Sequence, residues 1–553
     1  MHRLITVGAA LLLVCVVAPA MGAEETAQQR DQRLAWWREA RFGLFIHWGP
    51  VSIKGTEIGW SRGGERRGTG GKGDIPLDVY DNLYKDFNPT RFDANEWVAL
   101  AKSAGMKYLV FTTKHHDGFC EFDSKLTDYK ITNSPFKRDV VAELAKACHE
   151  QGIRLGFYYS PPDWHHPDYR TANHARYIEY LHGQLRELCT NYGQVDIIWF
   201  DGLGGGEKDW DARRLTAMIR QLQPKVIINN RAGLAEDYDT PEQTIGGFNN
   251  TRPWESCITI CQQWAWKPND RLKSLKQCIR TLARCAGGDG NLLLNVGPMP
   301  TGEIEPRQVA RLKEMGQWLA KNGASIYGTR GGPYKPAQWG ASTHKGNSIY
   351  LHIFDGKNVT LAPFSQRKVV SATLLSGGEV HFQQTDSALS LTLPAEGRDE
   401  NDTVVELKLD GPAADVPLIG PPPSLTKGAK ATASNVYQKN NRAHGPQMAV
   451  DNNSSTRWAT DSGTRQAWLE VDLGSPQTIG RVVIDECVDF GQRINKFELQ
   501  YLEAGAWKTL IEGTTIGSDY SQQFKPVTAQ RVRLNILDAS EGPTIWEFHL
   551  YAK

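Results

Sequence analysis

Between about residue 33 and residue 330, short apolar runs rich in β-branched and aromatic residues take turns with longer segments whose apolar positions recur every three or four residues. The short runs are "RFGLFIHWG", "KYLVFTTKHH", "IRLGFYYS", "VDIIWFDG", "KVIINNR", "WESCITI" and "NLLLNVGP", and their length and composition predict strands. Between them, "RFDANEWVALAKSAG", "DVVAELAKACHEQG", "HARYIEYLHGQLRELC", "DARRLTAMIRQLQ" and "RLKSLKQCIRTLARC" predict amphipathic helices. Regular alternation of strand and helix implies a parallel sheet with crossover helices. Seven countable strands over about 300 residues suit an α/β (β/α)8-like barrel, residues 24–332, with one repeat degenerate.

The helical period then stops. Residues 333–412 alternate as a small antiparallel β-sandwich, 413–425 are proline-rich and predict a linker, and 426–553 form a second all-β unit of independent domain size. At the other end, the first 23 residues carry Arg3, the apolar run "LITVGAALLLVCVVAPA" and the small residues "AMGA", the pattern of a signal peptide. An uncleaved anchor is the alternative; Cys15 lacks the small preceding residue of a lipid-attachment site. The expectation is an exported protein, periplasmic or extracellular, with no membrane span beyond the leader.

Charge and cysteines narrow the chemistry. The chain has 63 Lys and Arg against 62 Asp and Glu, a balance that gives no reason to expect a polyanion or nucleic acid as partner. Cys120, Cys148, Cys189, Cys257, Cys261, Cys278, Cys285 and Cys487 are scattered without a paired zinc motif, and predict buried thiols, although export would permit a disulfide.

In such a barrel the site lies where the strands end. Here the runs end on His47, on His115 and His116, on Tyr158 and Tyr159, on Asp201, on Asn230 and Arg231, and on Asn295, while the sixth run begins with Glu255. Two carboxylates from different strands, Asp201 and Glu255, are what a glycosidase needs, one to attack the anomeric carbon and one to protonate the leaving oxygen. The His, Tyr, Asn, Arg and Trp around them suit sugar hydroxyls and the C–H face of a ring. A catalytic metal fits less well: His115, His116 and Asp117 are consecutive, and side chains of successive strand residues point to opposite faces.

The ordered motifs "RFGLFIHWGPVS", "TEIGWSR", "KHHDGFCEFDS", "GFYYSPPDW", "DIIWFDG", "NNR" and "GNLLLNVGPMPTGEI" resemble those of the family 29 glycoside hydrolases, the retaining α-L-fucosidases, over about residues 33–410. The resemblance implies that Asp201 is the nucleophile, that His47, Glu57, His115, His116, Tyr158 and Arg231 contact fucose hydroxyls, and that Trp60 lies near them. The family's acid/base is less uniform in sequence. Glu255, with Trp264 nine residues on, resembles that of the subgroup preferring 1,3/1,4 linkages; Glu57 and Glu242 are the substitutes should Glu255 be structural. No cofactor is implied for catalysis. The resemblance further implies retention, carboxyls roughly 5 Å apart, and a Glu255 whose pKa is raised.

Near the C-terminus, "ATASNVY", "PQMAVDNNSSTRWATDS", "WLEVDLGSPQTIGRVVI", "FELQYL" and "RVRLNI" resemble discoidin-like, galactose-binding-like β-sandwich modules of the kind that accompany carbohydrate-active enzymes. In that fold Asp451, Asn453, Thr456 and Glu547 match a structural calcium site of hard oxygen ligands; loop acids with no metal are the alternative. Trp458 fits a core position. The expected function is removal of terminal fucose from fucosylated oligosaccharides or glycoconjugates. The alternatives are a carbohydrate-binding or adhesion protein without turnover and a barrel glycosidase for another sugar.

Overall fold

The seven apolar runs become seven strands: Phe42–Ile46 (β1), Tyr108–Lys114 (β2), Arg154–Tyr159 (β3), Ile197–Phe200 (β4), Ile227–Ile228 (β5), Glu255–Thr259 (β6) and Asn291–Val296 (β7). The structure, a computed structural model, describes residues 25–552 except 355, 421–423, 454–455, 489–490 and 518–519. The leader 1–23 and the prolines at 421–423 therefore lie outside the described residues.

All seven strands are parallel, in the order β5-β4-β3-β2-β1-β7-β6. The edges β5 and β6 do not pair with each other. Residues 238–242 run between them, with Tyr238 bridged to Asn229 on one side and Asp239 and Glu242 bridged to Trp254 and Cys257 on the other. Backbone bonds from Asn230 N to Tyr238 O (3.0 Å) and from Glu255 N to Asp239 O (2.9 Å) close the ring. This is the degenerate repeat. It has no apolar run of its own and contains Pro241, whose nitrogen cannot donate to a ladder.

Successive strand residues face opposite ways, and the two sets form different cores. Leu44, Leu109, Phe111, Leu155, Phe157, Ile198 and Leu294 pack outward against the helices. Phe45, Tyr108, Val110, Tyr158, Trp199, Cys257 and Leu293 fill the barrel, which Leu34 and Trp37 of the helix Ala27–Ala40 plug from below. Gly43 is required here: a Cβ on it would sit 2.2 Å from the Tyr108 ring, so the missing side chain is what lets that ring lie inside. The helices begin at side-chain caps, Asp93 on the N–H groups of Asn95 and Glu96, Asp139 on Ala142 and Ser274 on Gln277. No helix among the described residues is long and apolar enough to cross a membrane.

From Arg330 to Leu409 a five-stranded and a three-stranded antiparallel sheet enclose a second core that includes Leu351, Leu391 and Leu407. The C-terminal unit is antiparallel, built around two 20-residue strands, Ala467–Glu486 and Tyr520–Ala539, with fully buried Trp458 in its core. None of the eight described cysteines forms a disulfide, and all are buried.

Candidate active site

The C-terminal ends of the strands converge on one pocket. After β4, Asp201 Oδ2 accepts the Tyr158 hydroxyl at 3.0 Å and lies 3.4 Å from His116 Nε2, while Oδ1 accepts Arg231 Nη1 at 3.2 Å. Burial opposes the ionised form of Asp201, but the bond from His116 and the guanidinium of Arg231, helped by Tyr158, outweigh it and hold the carboxyl well below its usual range. Asp201 is therefore a carboxylate at any ordinary pH.

His47, after β1, lies 2.7 Å from Asn295 Oδ1 through its Nδ1, and burial lowers its pKa to about 4. His115 is likewise driven well below the usual imidazole value by burial, so both rings are neutral and able to give or take a hydrogen bond. The His115 and Tyr158 rings are parallel within 5° with centroids 5.5 Å apart, and His47 sits 5.7 Å from His115. Both histidines serve one pocket because β2 ends at Lys114 and strand alternation no longer governs them. The chain turns at once, with Gly118 N bonded to His115 O and Gly118 at φ 81°, where a Cβ would lie 2.4 Å from Asp163 Oδ1. His115 lines the pocket, whereas His116 is bonded to Ser160 Oγ at 2.6 Å and turns toward Asp201.

Trp60 and Trp264 wall the pocket; Trp60 meets His116 edge-on at 5.7 Å and Trp264 lies 4.8 Å from His47. Glu57 does not line it. Its oxygens accept the backbone N–H groups of Trp264 (3.0 Å) and Ala265 (3.1 Å), so it fixes the Trp264 loop. Phe45, Trp199 and Cys257, at strand positions, and Leu203, in the turn after β4, also line the pocket; none of them was singled out in the sequence as a site residue.

Glu255, expected as the proton donor, is not in the pocket. It stands at the first residue of β6, on the barrel's inner face but two residues below pocket-lining Cys257, roughly 7 Å deeper at strand rise, and is fully buried. The carboxyl that does reach the pocket is Glu242, 41% exposed, at the end of the irregular eighth segment. Arg231 Nη1, 3.2 Å from Asp201 Oδ1, is also 2.7 Å from Glu242 Oε2. The two carboxylate oxygens are thus no more than about 5.9 Å apart, the sum of those distances. That bound on one oxygen pair is compatible with the roughly 5 Å carboxyl spacing of retaining glycosidases. Arg231 is itself held by Thr240, through Nε to Oγ1 at 2.7 Å and Nη2 to the carbonyl at 2.8 Å, and lies 4.8 Å from the Trp199 ring.

Among the described residues no group of three or more His, Cys, Asp and Glu side chains is arranged to hold a metal. In the C-terminal unit, Asp451 accepts Thr456 Oγ1 at 2.7 Å and Asn453 N at 2.9 Å. Buried Glu547 has no hydrogen bond of ordinary geometry to either oxygen, and burial together with neighbouring Asp451 pushes its pKa up to about 8. Its Oε2 lies 3.6 Å from His549 Nε2. A larger cleft, about 760 Å³, is lined by Trp339 and Trp546 but by none of the strand-end residues.

Residues 14–324 match the alpha-L-fucosidase family model, and residues 430–548 match the F5/8 type C domain. Alpha-L-fucosidase isoenzyme 1 from Paenibacillus thiaminolyticus is 41% identical with a TM-score of 0.63, over 69% of this chain and 99% of that one. A Bacteroides thetaiotaomicron GH29 alpha-L-fucosidase, solved as a trapped covalent intermediate with 2-fluoro-fucosyl fluoride, is 28% identical with a TM-score of 0.62, over 69% of this chain and 97% of that one. Human plasma alpha-L-fucosidase is 30% identical over 379 residues, 61% of this chain and 79% of the relative.

Proposed function

The chain belongs to the GH29 α-L-fucosidase family of glycoside hydrolases and carries a C-terminal F5/8 type C, discoidin-like domain, and from that premise we propose an exo-acting enzyme releasing terminal α-1,3/1,4-linked L-fucose by double displacement with retention. The observation that supports the mechanism is the single nitrogen of Arg231 shared by Asp201 and Glu242, which brings one oxygen of each within about 5.9 Å of the other, compatible with the close carboxyl pair of a retaining enzyme.

Asp201 attacks the anomeric carbon as Glu242 gives its proton to the leaving oxygen. Glu242 then takes a proton from the water that opens the covalent fucosyl intermediate. Glu242 thus replaces Glu255 as acid/base. The covalent intermediate trapped in the Bacteroides relative supports the same two-step course. His47, His115 and Tyr158 are suited to the sugar hydroxyls, and Trp60 and Trp264 to its apolar face. The linkage preference rests on the resemblance of the "QQWAW" segment alone.

On this reading 24–332 is the catalytic unit, 333–412 its β-sandwich and 426–553 a carbohydrate-binding module, exported by the 1–23 signal to periplasm or medium. Asp451, Asn453, Thr456 and Glu547 would hold a structural calcium ion, supported by the burial of the Glu547 carboxyl beside Asp451. The test compares hydrolysis of an aryl α-L-fucoside with other aryl glycosides, then of branched 1,3- and 1,4-linked with linear 1,2-linked fucosyl oligosaccharides. Cleavage confined to α-L-fucosides and fastest on the branched substrates is expected; equal rates on the linear substrate would remove the linkage assignment.

A further inference from the structure

Glu255 is a fully buried carboxylate that the proposed reaction does not use. Three donors from three elements converge on it. Trp37 Nε1, from the helix that plugs the barrel, donates to Oε2 at 3.3 Å; the Tyr108 hydroxyl, from β2, donates to the same oxygen; and Trp199 Nε1, from β4, donates to Oε1 at 3.2 Å. An indole N–H can only donate, so each Trp ring has its orientation fixed by where its acceptor lies.

Trp199 carries this constraint upward. Its ring lines the pocket, lies within 18° of parallel to Tyr158 with centroids 5.6 Å apart, packs on Phe45 at 5.1 Å and underlies the Arg231 guanidinium at 4.8 Å. Tyr158 in turn donates to Asp201 and stacks on His115. The rings of His115, Tyr158 and Trp199 therefore form one platform. Two of the three groups that hold Asp201, the Tyr158 hydroxyl and the Arg231 guanidinium, rest on it; the third is His116.

We propose that Glu255 is a positioning residue for the fucosidase reaction, anchoring Trp199 from beneath so that the platform under Asp201 and Arg231 keeps one alignment. This deepens the reading given above and rests on it. A carboxyl suits the post in either charge state: ionised, it offers two acceptor oxygens to the three donors, and protonated, it can turn its O–H to the Tyr108 hydroxyl, which also accepts, whereas an amide would turn an NH2 toward an indole N–H or toward the Trp37 and Tyr108 side. A displacement of the platform near 1 Å would cost on the order of 10–100-fold in rate, because attack on the anomeric carbon requires near-contact alignment.

The test measures full-length wild type, Glu255→Gln, Trp199→Phe and the double variant on two aryl α-L-fucosides, one with a good and one with a poor leaving group, with and without azide. Expected for Glu255→Gln is a loss in kcat/KM of about 10–100-fold, equal for both leaving groups and unchanged by azide. The double variant should be no worse than the poorer single, since both changes cut the same link. Wild-type kcat/KM in Glu255→Gln, losses that multiply in the double variant, or azide acceleration of Glu255→Gln would each overturn the proposal. Should Glu255→Gln not fold, Tyr108→Phe removes another of the donors from outside the pocket; an unaltered kcat/KM there counts against the proposal and a leaving-group-independent loss supports it. Glu242→Ala is run alongside. Azide should accelerate it on the good leaving group, so a failure of the acid/base assignment appears in that variant and not in Glu255→Gln.

Discussion

Glu57 accepts the backbone N–H of Trp264 at 3.0 Å, so a residue from the loop after β1 sets the position of an aromatic wall more than 200 residues away. Replacing Glu57 with Ala leaves the buried N–H groups of Trp264 and Ala265 without acceptors, at about 1–3 kcal/mol each. The expected outcome is a lower denaturation midpoint and a higher KM for aryl fucoside. The effect on kcat should be smaller, which distinguishes a wall from a reacting group.

Replacing Asp201, the proposed nucleophile, has the opposite signature. Asp201→Asn should lower kcat by roughly 10⁴-fold or more, while fucose still binds to the histidines and tryptophans. Single-turnover kinetics and calorimetric titration with fucose check the two halves separately.

Arg231 lowers the pKa of Asp201, which is fully ionised above its unfolded value and loses that stabilisation only as pH falls through the depressed folded value. Arg231→Met should raise that folded value even though His116 remains, so that acid unfolding begins at a higher pH; urea midpoints measured below about pH 5 check it.

Glu255 works in the reverse sense. Burial raises its pKa from 4.5 to about 7 despite the bonds from Tyr108, Trp199 and Trp37, so the folded state holds the proton more tightly than the unfolded chain. Its contribution is fully present below 4.5 and declines as pH rises toward 7, by about 3 kcal/mol at 1.36 kcal/mol per pKa unit. Urea midpoints between pH 4.5 and 8 should fall more steeply with rising pH for wild type than for Glu255→Gln.

In the C-terminal domain, calcium should raise the unfolding temperature and a chelator should lower it, because a cation would offset the burial of the Glu547 carboxyl, which lies beside Asp451 and 3.6 Å from His549 Nε2. Glu547→Ala should abolish both responses in a calorimetric scan, leaving any barrel transition unmoved.

The proposed nucleophile stands out in the sequence, while the proposed acid appears there only as a substitute for Glu255, for the same physical reason. Asp201 follows "IIWF", a run whose apolar pattern marks both a strand and its end. Glu242 follows "YDTP", which has neither apolar run nor alternation, because residues 238–242 are joined to their neighbours by isolated bridges only. Glu255 attracted attention as the acid at the edge of an apolar strand, but it marks the strand's start, and in a barrel start and end differ in chemistry. The plugging helix Ala27–Ala40 was hidden too, since most of its residues are polar and its buried ones are Leu34, Trp37 and Ala40.

The irregular eighth segment also separates the evolutionary fates of the two reacting groups. A nucleophile on β4 cannot shift register without turning Trp199 out of the barrel, whereas the stave that carries the proton donor can lengthen, shorten or change its residues while each flanking ladder stays whole. Within such an architecture the acid is free to migrate along the chain and still arrive opposite the same aspartate.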